Sequence, residues 1–133
     1  VLDGGMELNS RPLLYGSRHP FFVVSKNGTL LSSENTPQKG RGKNALKVVV
    51  GRCCESGDSQ SLGSSGAIAP HAMADAAIGD YVIIGGAGAY CSAMAPFNYN
   101  SHVQAPEVLL KTNGRFQLIR KPQTLGQVLQ NEL

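Results

Sequence analysis

Short apolar runs separated by turn residues recur along the chain and predict a mostly β protein. Six of these runs are rich in β-branched or aromatic residues and are bounded by Gly, Pro, Asn or Ser, which is typical of strands. They cover residues 21–25, 29–32, 45–50, 80–84, 107–111 and 115–119. Their number and shortness favour a β-barrel or a curled sheet.

Local signals between these runs predict the connections. Asn27 and Gly28 separate two strand-like runs, and this dipeptide tolerates the positive φ of a tight hairpin. Thr124 is followed three residues later by Gln127, which predicts a capping box and a short C-terminal helix. Residues 70–80 are expected to form one helical turn or a compact loop. Residues 61–70 are expected to form a loop whose glycines allow close backbone approach.

The length of 133 residues predicts one domain over residues 1–133, and 41% hydrophobic content suffices for one core. No apolar run reaches the about 18 residues of a membrane span, so no membrane contact is expected. Three cysteines without a CxxC pair favour a reduced, cytoplasmic protein and no metal site. The first residues read as a strand end that enters a loop, so the chain is expected to begin in mid-fold.

The formal net charge of +3 is too small to indicate a nucleic-acid partner. Basic residues cluster in residues 38–47, QKGRGKNALK. We interpret this segment as a solvated loop, because no aromatic residues interleave for base stacking. A polyanion contact is the alternative.

The stretch CCESGD at residues 53–58 places two thiols and two acids where a strand is expected to end. One interpretation is two small buried side chains and a solvated glutamate. The other is a proton-donating thiol beside a carboxylate that binds a cation. On an extended strand Cys53 and Glu55 would share one face and Cys54 the other, whereas a bend at Ser56 and Gly57 would bring Cys54 and Glu55 together.

Two further stretches carry candidate ligand-binding side chains. Arg11 has the planar fork that grips a carboxylate, and Pro12 restricts the backbone beside it. The alternative is a surface arginine with Tyr15 in the core, and His19 is expected to be an ordinary structural histidine. The glycine-rich residues 85–88 do not match a dinucleotide loop, but they would let the chain approach a ligand and present Tyr90.

Three segments in this order, DGGMELNSRPLLY, CESGD and GAGAYCSAMAPFNYNSHVQAPEVLL, resemble the C-terminal β domain of the meso-diaminopimelate decarboxylase family. This family belongs to the alanine-racemase-like, fold-type III pyridoxal-phosphate decarboxylases. The resemblance runs from about residue 3 to residue 110. Glu55 makes the CESGD motif specific for this family, because ornithine and arginine relatives tend to carry Asp at this position.

The resemblance implies more than this chain contains. Family members hold pyridoxal 5′-phosphate on a Schiff-base lysine of an N-terminal (β/α)₈ barrel, and they form homodimers with the active site at the interface. Such a barrel needs roughly 200 residues or more, so we expect it outside this chain and expect the isolated chain to be inactive. The complete enzyme would convert meso-2,6-diaminopimelate to L-lysine and CO2 in lysine biosynthesis.

The resemblance also implies residue roles. Arg11 would hold a substrate carboxylate with Tyr15 as its companion, and Tyr90 would contact both cofactor and substrate. Cys54 would cross the dimer interface and protonate the carbanion left by decarboxylation, while Glu55 would bind the distal amino group. These side chains suit the reaction, because the cofactor ring accepts electrons and an ordinary thiol is protonated at neutral pH.

Departures from the family pattern leave alternatives open. Arg52 and Cys53 replace the proline and apolar residue that usually precede CES, Cys91 replaces a glycine, and His102 replaces an arginine. The substrate preference has therefore room to differ. The alternatives are a sister decarboxylase of the ornithine, lysine or arginine type, and a non-catalytic dimerisation module.

Overall fold

The computed structural model of the protein describes residues 1–36 and 42–133. Residues 38–41 of the basic segment lie outside the described residues. The described chain divides into two compact units, Val1–Ala95 and Pro96–Leu133. The assignment of residues 1–133 to a single domain stays a prediction. Within the described residues, no helix has the length and apolar character needed to cross a membrane.

Most regular structure belongs to short antiparallel strands, as the sequence predicted. The first unit contains α1 (Arg11–Tyr15), β1 (Phe21–Val24), β2 (Leu30–Ser33), β3 (Asn44–Lys47), β4 (His71–Ala74), β5 (Tyr81–Ile84) and α2 (Cys91–Met94). The second unit contains a 3-10 turn (Tyr99–Ser101), β6 (Glu107–Leu110), β7 (Phe116–Arg120) and α3 (Leu125–Val128). Strands β1–β3 and β5–β7 match the six predicted runs within a few residues.

Strands of the first unit form two sheets with the orders β2-β1-β5 and β3-β4. The predicted hairpin between β1 and β2 is confirmed: Gly28 has a φ of +83°, and the Ser25 amide donates to the Thr29 carbonyl at 2.8 Å. The second unit contributes the β6-β7 pair. The described residues thus form a mainly β fold in three separate sheets, and closure into a barrel stays a prediction.

The prediction of a helical turn or compact loop at the start of residues 70–80 was wrong. His71–Ala74 is strand β4, which pairs with β3 from His71 opposite Lys47 to Ala74 opposite Asn44. His71 and Met73 are buried and Ala72 is exposed, so the strand has the period-2 alternation of a half-buried sheet. Alanine and histidine are weak strand formers, so tertiary packing decides this conformation.

The core of the first unit lies between its two sheets. Phe21, Val23, Val49 and Met73 are buried there, and partly buried apolar side chains from Leu2, Leu31, Val82 and Ile84 pack around them. Val49 lies beyond the end of β3, because the predicted strand over residues 45–50 stops at Lys47. The chain then continues into the CCESGD segment, so the core anchors the base of that segment.

A buried polar group supports this core. The His71 ring packs against Phe21 with centroids 4.3 Å apart, and its Nδ1 lies 2.9 Å from Glu34 Oε2. The same carboxylate oxygen accepts the Phe21 amide at 2.9 Å. Burial acts to raise the pKa of Glu34, but hydrogen bonds from His71 and the Phe21 amide outweigh it and hold the pKa below its ordinary value. His19 is also buried, with Nδ1 3.1 Å from the Gly85 carbonyl, as expected of a structural histidine.

Two elements of the second unit match sequence predictions. Strands β6 and β7 lie at two of the predicted runs and pair as an antiparallel hairpin, with Leu110 opposite Phe116. The capping box before α3 is confirmed, since the Gln127 amide donates to Thr124 Oγ1 at 3.2 Å and the Thr124 amide donates to Gln127 Oε1 at 2.9 Å.

Candidate active site

Helix α1 carries two of the five predicted site residues, Arg11 and Tyr15. Pro12 lies in its first turn, where the missing amide hydrogen costs no helical hydrogen bond. Gly16 ends the helix with a φ of +60°, and a Cβ there would run into the backbone of Gly63 and Ser64. The loop over residues 61–70 thus approaches the backbone closely, as predicted, and fixes where α1 ends.

Arg11 lies against two tyrosine rings. Its Cζ is 5.4 Å from the Tyr15 ring centroid and 5.7 Å from that of Tyr90, both within cation–π range. Residues 11 and 15 share one face of α1, because they are one helical turn apart. Tyr15 is 58% exposed and Tyr90 is 66% exposed, so the alternative that Tyr15 belongs to the core was wrong. The structure brings these three predicted residues together at the surface.

Tyr90 occupies a strained backbone conformation. Its φ is +68° and its ψ is −30°, and the Cys91 amide donates to the Ala89 carbonyl at 2.9 Å around it. This is the rare γ-turn with a positive φ. Such backbone strain costs about 1–3 kcal/mol, and it persists only where the surrounding structure holds the residue in that conformation. The helix α2 that follows is tied to α1 by a hydrogen bond from Ser10 Oγ to the Met94 carbonyl at 3.2 Å. The fold therefore holds the Tyr90 ring beside Arg11.

The three glycines before Tyr90, at positions 85, 86 and 88, differ in what the structure around them would allow in place of glycine. A Cβ at Gly85 would lie 3.0 Å from the Phe22 ring, so packing within the chain requires this glycine. Gly86 has a φ of +64°. Gly88 faces open space, so nothing within the described residues excludes a larger side chain there. Of the three, Gly88 is the one that leaves room for an approaching ligand.

The CCESGD segment is a closed turn and not the end of a strand. Val50 pairs with Ser59, and the Gly51 amide donates to the Asp58 carbonyl at 3.0 Å, which closes the loop at its base. The Asp58 amide donates to the Glu55 carbonyl at 3.0 Å, which makes the bend predicted at residues 56 and 57.

Cys54 and Glu55 are exposed neighbours in this turn. The Ser56 hydroxyl and the Gly57 amide both donate to Glu55 Oε1, each at 3.1 Å. The interpretation of both cysteines as buried side chains was therefore wrong, because Cys54 is exposed and Cys53 is only partly buried. A thiol and a carboxylate stand side by side where a second molecule or chain can reach them.

Cys53 points in a different direction from its neighbour. Its thiol donates to Glu7 Oε2 at 3.3 Å, and Glu7 is only 5% exposed. Burial raises the pKa of the Cys53 thiol, and the nearby carboxylates of Glu7 and Asp58 raise it further, to about 12. Of the two geometries considered, the extended strand that would place Cys53 and Glu55 on one face does not occur, because the backbone turns between them: the Glu55 amide donates to the Cys53 carbonyl at 2.8 Å.

Glu7 and Asp58 received no role from the sequence. Asp58 is 5% exposed, and its two carboxylate oxygens accept the Met6 amide at 2.7 Å and the Cys53 amide at 2.6 Å. Glu7 Oε1 accepts Arg52 Nε at 2.9 Å, so the unusual Arg52 has a partner inside the fold. Both residues lie inside segments that carry the family resemblance, Glu7 in DGGMELNSRPLLY and Asp58 at the end of CESGD, and this was the available signal.

Glu7, Cys53 and Asp58 offer ligand atoms within 4.8 Å of one another, the spacing of a metal site. Their donor set does not fit one. Each of the four carboxylate oxygens already accepts a hydrogen bond, from Arg52, the Cys53 thiol, the Met6 amide and the Cys53 amide. The cluster is an internal hydrogen-bond network.

Helix α1 links the two groups of candidate residues. Leu13 packs against Gly57, where a Cβ would run into the leucine side chain. Position 13 points away from the face shared by Arg11 and Tyr15, because residues two apart lie on different sides of a helix. The Arg11 cluster and the turn with Cys54 thus adjoin different faces of the same helix.

A concavity of about 970 Å³ lies elsewhere in the first unit. It is bounded by the N-terminal segment and by strands β3, β4 and β5, and none of the five predicted site residues lines it. Its apolar walls include core side chains such as Val49 and Met73, so it is the open side of the core and not a polar binding site. The five candidate residues lie instead in the Arg11 cluster and the CCESGD turn.

The chain is similar over its whole length to known proteins. The chain is 35% identical to the diaminopimelate decarboxylase of Escherichia coli K12 over 133 residues, which is 100% of this chain and 29% of that enzyme. It matches a crystal structure of diaminopimelate decarboxylase with a TM-score of 0.86 and 34% identity, over 98% of this chain and 29% of that chain. It also matches the Helicobacter pylori diaminopimelate decarboxylase complexed with L-lysine, with a TM-score of 0.68 and 29% identity, over 98% of this chain and 27% of that chain.

The chain thus spans less than a third of the length of these relatives. Residues 1–88, which contain Arg11, Tyr15, Cys54 and Glu55, match the family model of the pyridoxal-dependent decarboxylase C-terminal sheet domain. The resemblance seen in the sequence is confirmed at this level. The match covers most of the chain and four of its five candidate residues. The chain therefore belongs to the pyridoxal-dependent decarboxylases and represents their C-terminal sheet domain.

Proposed function

We propose that this chain is the C-terminal sheet domain of a diaminopimelate decarboxylase. The complete polypeptide would convert meso-2,6-diaminopimelate to L-lysine and CO2 in lysine biosynthesis. The observation that carries the proposal is the exposed pair Cys54 and Glu55 on a closed turn, with the adjacent Cys53 thiol turned to Glu7. A purely structural turn has no need to expose a thiol and an acid together.

The charges of the exposed residues complement the substrate. Diaminopimelate carries an amino group and a carboxylate at each end. Arg11 would bind one carboxylate through its planar fork, with its orientation set by the Tyr15 and Tyr90 rings. Glu55 would bind the distal amino group. The Ser56 and Gly57 donors hold one of its carboxylate oxygens in place.

Pyridoxal 5′-phosphate is the cofactor that the family implies, and the exposed residues fit it. Tyr90 is exposed and its ring lies beside Arg11, so it would contact the cofactor as well as the substrate. When bound, the cofactor supplies an electron sink for the pair of electrons that departing CO2 leaves behind. Cys54 would then deliver a proton to the substrate carbon, because a protonated thiol beside the reacting atom is a general acid.

The active site would be completed by a second copy of the chain. Arg11 and Tyr15 occupy one face of α1, whereas Leu13 packs on the Cys54 turn from a different face. Two copies would each contribute one group of residues to a shared site, as in the homodimer that the family implies. A cytoplasmic location also stays a prediction.

The rest of the polypeptide would complete the sheet domain as well. The 970 Å³ concavity leaves Leu8, Ile78 and Tyr81 exposed beside the core. Apolar surface of this kind is normally covered in a native assembly. We therefore expect the separate sheets to close into a barrel only with strands from outside this chain.

The test is CO2 release by the complete polypeptide from diaminopimelate and from ornithine. Release from diaminopimelate with equimolar L-lysine is the expected result. Release from ornithine alone would overturn the assignment in favour of a sister decarboxylase. Release from neither substrate, with the cofactor bound and the protein folded, would favour the non-catalytic dimerisation module.

A further inference from the structure

The buried Asp58 carboxylate joins two distant parts of the chain. One oxygen accepts the Met6 amide at 2.7 Å, and the other accepts the Cys53 amide at 2.6 Å. Met6 lies in the segment that enters α1, which carries Arg11. Cys53 precedes Cys54 in the turn. A single side chain therefore fixes the backbones that present both groups of candidate residues.

The space around this carboxylate is shaped for it. Gly5 and Gly51 lie on either side, and a Cβ at either position would run into the Asp58 oxygens. Neither glycine has a positive φ, so backbone conformation does not require them. Their lack of a side chain lets two backbone segments close around one carboxylate. The arrangement is specific to an acceptor with two oxygens at this position.

The fold closes around Asp58 from its own backbone as well. The Asp58 amide donates to Glu55 and its carbonyl accepts from Gly51, each at 3.0 Å. The residue thus makes four hydrogen bonds, two through its main chain and two through its side chain. All the backbone between Gly51 and Asp58, which includes Cys54 and Glu55, is enclosed by these bonds.

We propose that Asp58 is a positioning residue that sets where Cys54 and Glu55 stand relative to α1, and this inference rests on the proposed decarboxylase function. Asp58 would touch neither substrate nor cofactor. It would act through the Cys53 amide, which orients the next peptide unit and so the Cys54 side chain. A displacement of about 1 Å at a reacting group costs on the order of 100-fold in rate.

The first experiment is Asp58→Asn in the complete polypeptide. The amide keeps the shape of the side chain but turns one acceptor into a donor, so one of the two backbone amides loses its partner. We expect kcat to fall about 10-fold to 100-fold while the bound cofactor retains its absorbance spectrum. An unchanged kcat in a folded, cofactor-loaded variant would overturn the proposal.

Asp80 provides a matched control. Its carboxylate also accepts two backbone amides, from Lys26 at 3.0 Å and from Ala77 at 2.8 Å. It lies in the turn before β5, and its partners belong to neither α1 nor the CCESGD turn. Asp80→Asn is expected to leave kcat within about twofold. If both variants lower kcat equally, the effect is general destabilisation and the proposal fails.

A double variant separates positioning from structural damage. If Asp58 acts through the placement of Cys54, its substitution should cost much less when Cys54 is already Ala, because coupled residues are not additive. Losses that simply multiply would overturn the proposal. The same cycle tests the proposed function separately. An unchanged turnover of Cys54→Ala alone would show that Cys54 has no catalytic role. The proposal for Asp58 would then be overturned as well, because it assigns to Asp58 the placement of Cys54.

Amide hydrogen exchange in the unsubstituted complete protein tests the geometry without any activity. Met6 and Cys53 lie outside the strands, yet their amides are bonded to a buried carboxylate. We expect both to exchange at least 100-fold more slowly than the amide of Ala67, whose acceptor is an exposed serine hydroxyl at 3.4 Å. Exchange of both as fast as Ala67 would overturn the proposal, even if Asp58→Asn fails to fold.

Discussion

The guanidinium of Arg11 lies 5.7 Å from the centroid of the Tyr90 ring, although the two residues belong to different helices. The ring stands at the start of α2 in a strained backbone conformation, and α2 is tied by its Met94 carbonyl to the residue before Arg11. The Arg11 guanidinium thus contacts both the Tyr15 and the Tyr90 ring, and it also donates to the Ser17 hydroxyl at 3.4 Å. This matters for catalysis, because a bidentate grip on a carboxylate requires a planar group with a fixed direction.

Arg11→Lys in the complete polypeptide tests this orientation. Lysine keeps the positive charge but loses the planar fork and stacks less well on tyrosine. We expect kcat/KM for diaminopimelate to fall about 10-fold or more, mostly through KM, in steady-state CO2-release assays. Arg115→Lys makes the same change in the turn between β6 and β7 and should leave kcat/KM unaltered. Equal values for Arg11→Lys and the unsubstituted enzyme would contradict the role of Arg11.

Glu55→Gln tests the distal amino group of the substrate. The amide preserves the size of the side chain but removes the charge that complements an ammonium group. A charge-assisted hydrogen bond contributes about 1.5–3 kcal/mol, so kcat/KM for diaminopimelate should fall roughly 10-fold to 100-fold. Glu132→Gln, an exposed change near the C-terminus, serves as the control. Full activity of Glu55→Gln would show that another group binds the distal end.

Sequence patterns predicted most strands of the fold but missed β4 and the short helices α1 and α2. Runs rich in β-branched or aromatic residues and bounded by turn residues predicted β1–β3 and β5–β7. Burial does not explain all of them, since β1 alternates between buried and partly buried residues whereas every residue of β6 is exposed. Strand β4 has the sequence HAMA and owes its conformation to pairing with β3. Helix α1 has five residues, too few for a periodic pattern to be visible.

The sequence predicted the exposed residues of the candidate site but not the buried residues that hold them in place. Motif resemblance selected Arg11, Tyr15 and Tyr90, which the structure brings together. The role of Asp58 depends on the meeting of Met6 with Cys53, which local sequence does not encode. The inward direction of Cys53 likewise follows from a buried glutamate 46 positions away.

The Glu7 carboxylate should control the reactivity of Cys53. Burial, followed by hydrogen bonding and charge from Glu7, raises the pKa of the Cys53 thiol to about 12, so little thiolate exists at pH 8–9. Glu7→Gln removes the negative charge, and we expect alkylation of Cys53 by iodoacetamide at pH 8.5 to become roughly 10-fold faster, since one pKa unit changes the thiolate fraction about tenfold. Peptide mass spectrometry of the time course measures the rate at Cys53 separately from Cys54.

The control for this change is Glu132→Gln, which leaves the Glu7–Cys53 contact intact and should leave the alkylation rate of Cys53 unaltered. A Cys53 rate in Glu7→Gln equal to that in the unsubstituted protein would mean that burial and Asp58 protect the thiol without Glu7. The hydrogen bond at 3.3 Å would then have no effect on its chemistry.

The lowered pKa of Glu34 predicts that the protein loses stability in acid. Its folded-state pKa lies below its ordinary value of 4.5, because hydrogen bonds from His71 and the Phe21 amide outweigh the effect of burial. A lowered folded-state pKa favours folding above the unfolded pKa, and this contribution disappears as the pH falls through the folded pKa. The free energy of unfolding of the complete protein should therefore decrease as the pH falls below about 4.5.

Glu34→Gln assigns that pH dependence to one residue. At pH 7 the variant should be less stable by about 1–3 kcal/mol, because His71 and Arg18 lose a charged acceptor. The difference in stability between the variant and the unsubstituted protein should shrink between pH 5 and pH 3, because Glu34 becomes protonated in the unsubstituted protein. Thermal melts at several pH values measure it. Glu107→Gln, which removes the exposed pair with Arg120, should cost less at pH 7, and an equal cost would mean that burial of Glu34 adds nothing.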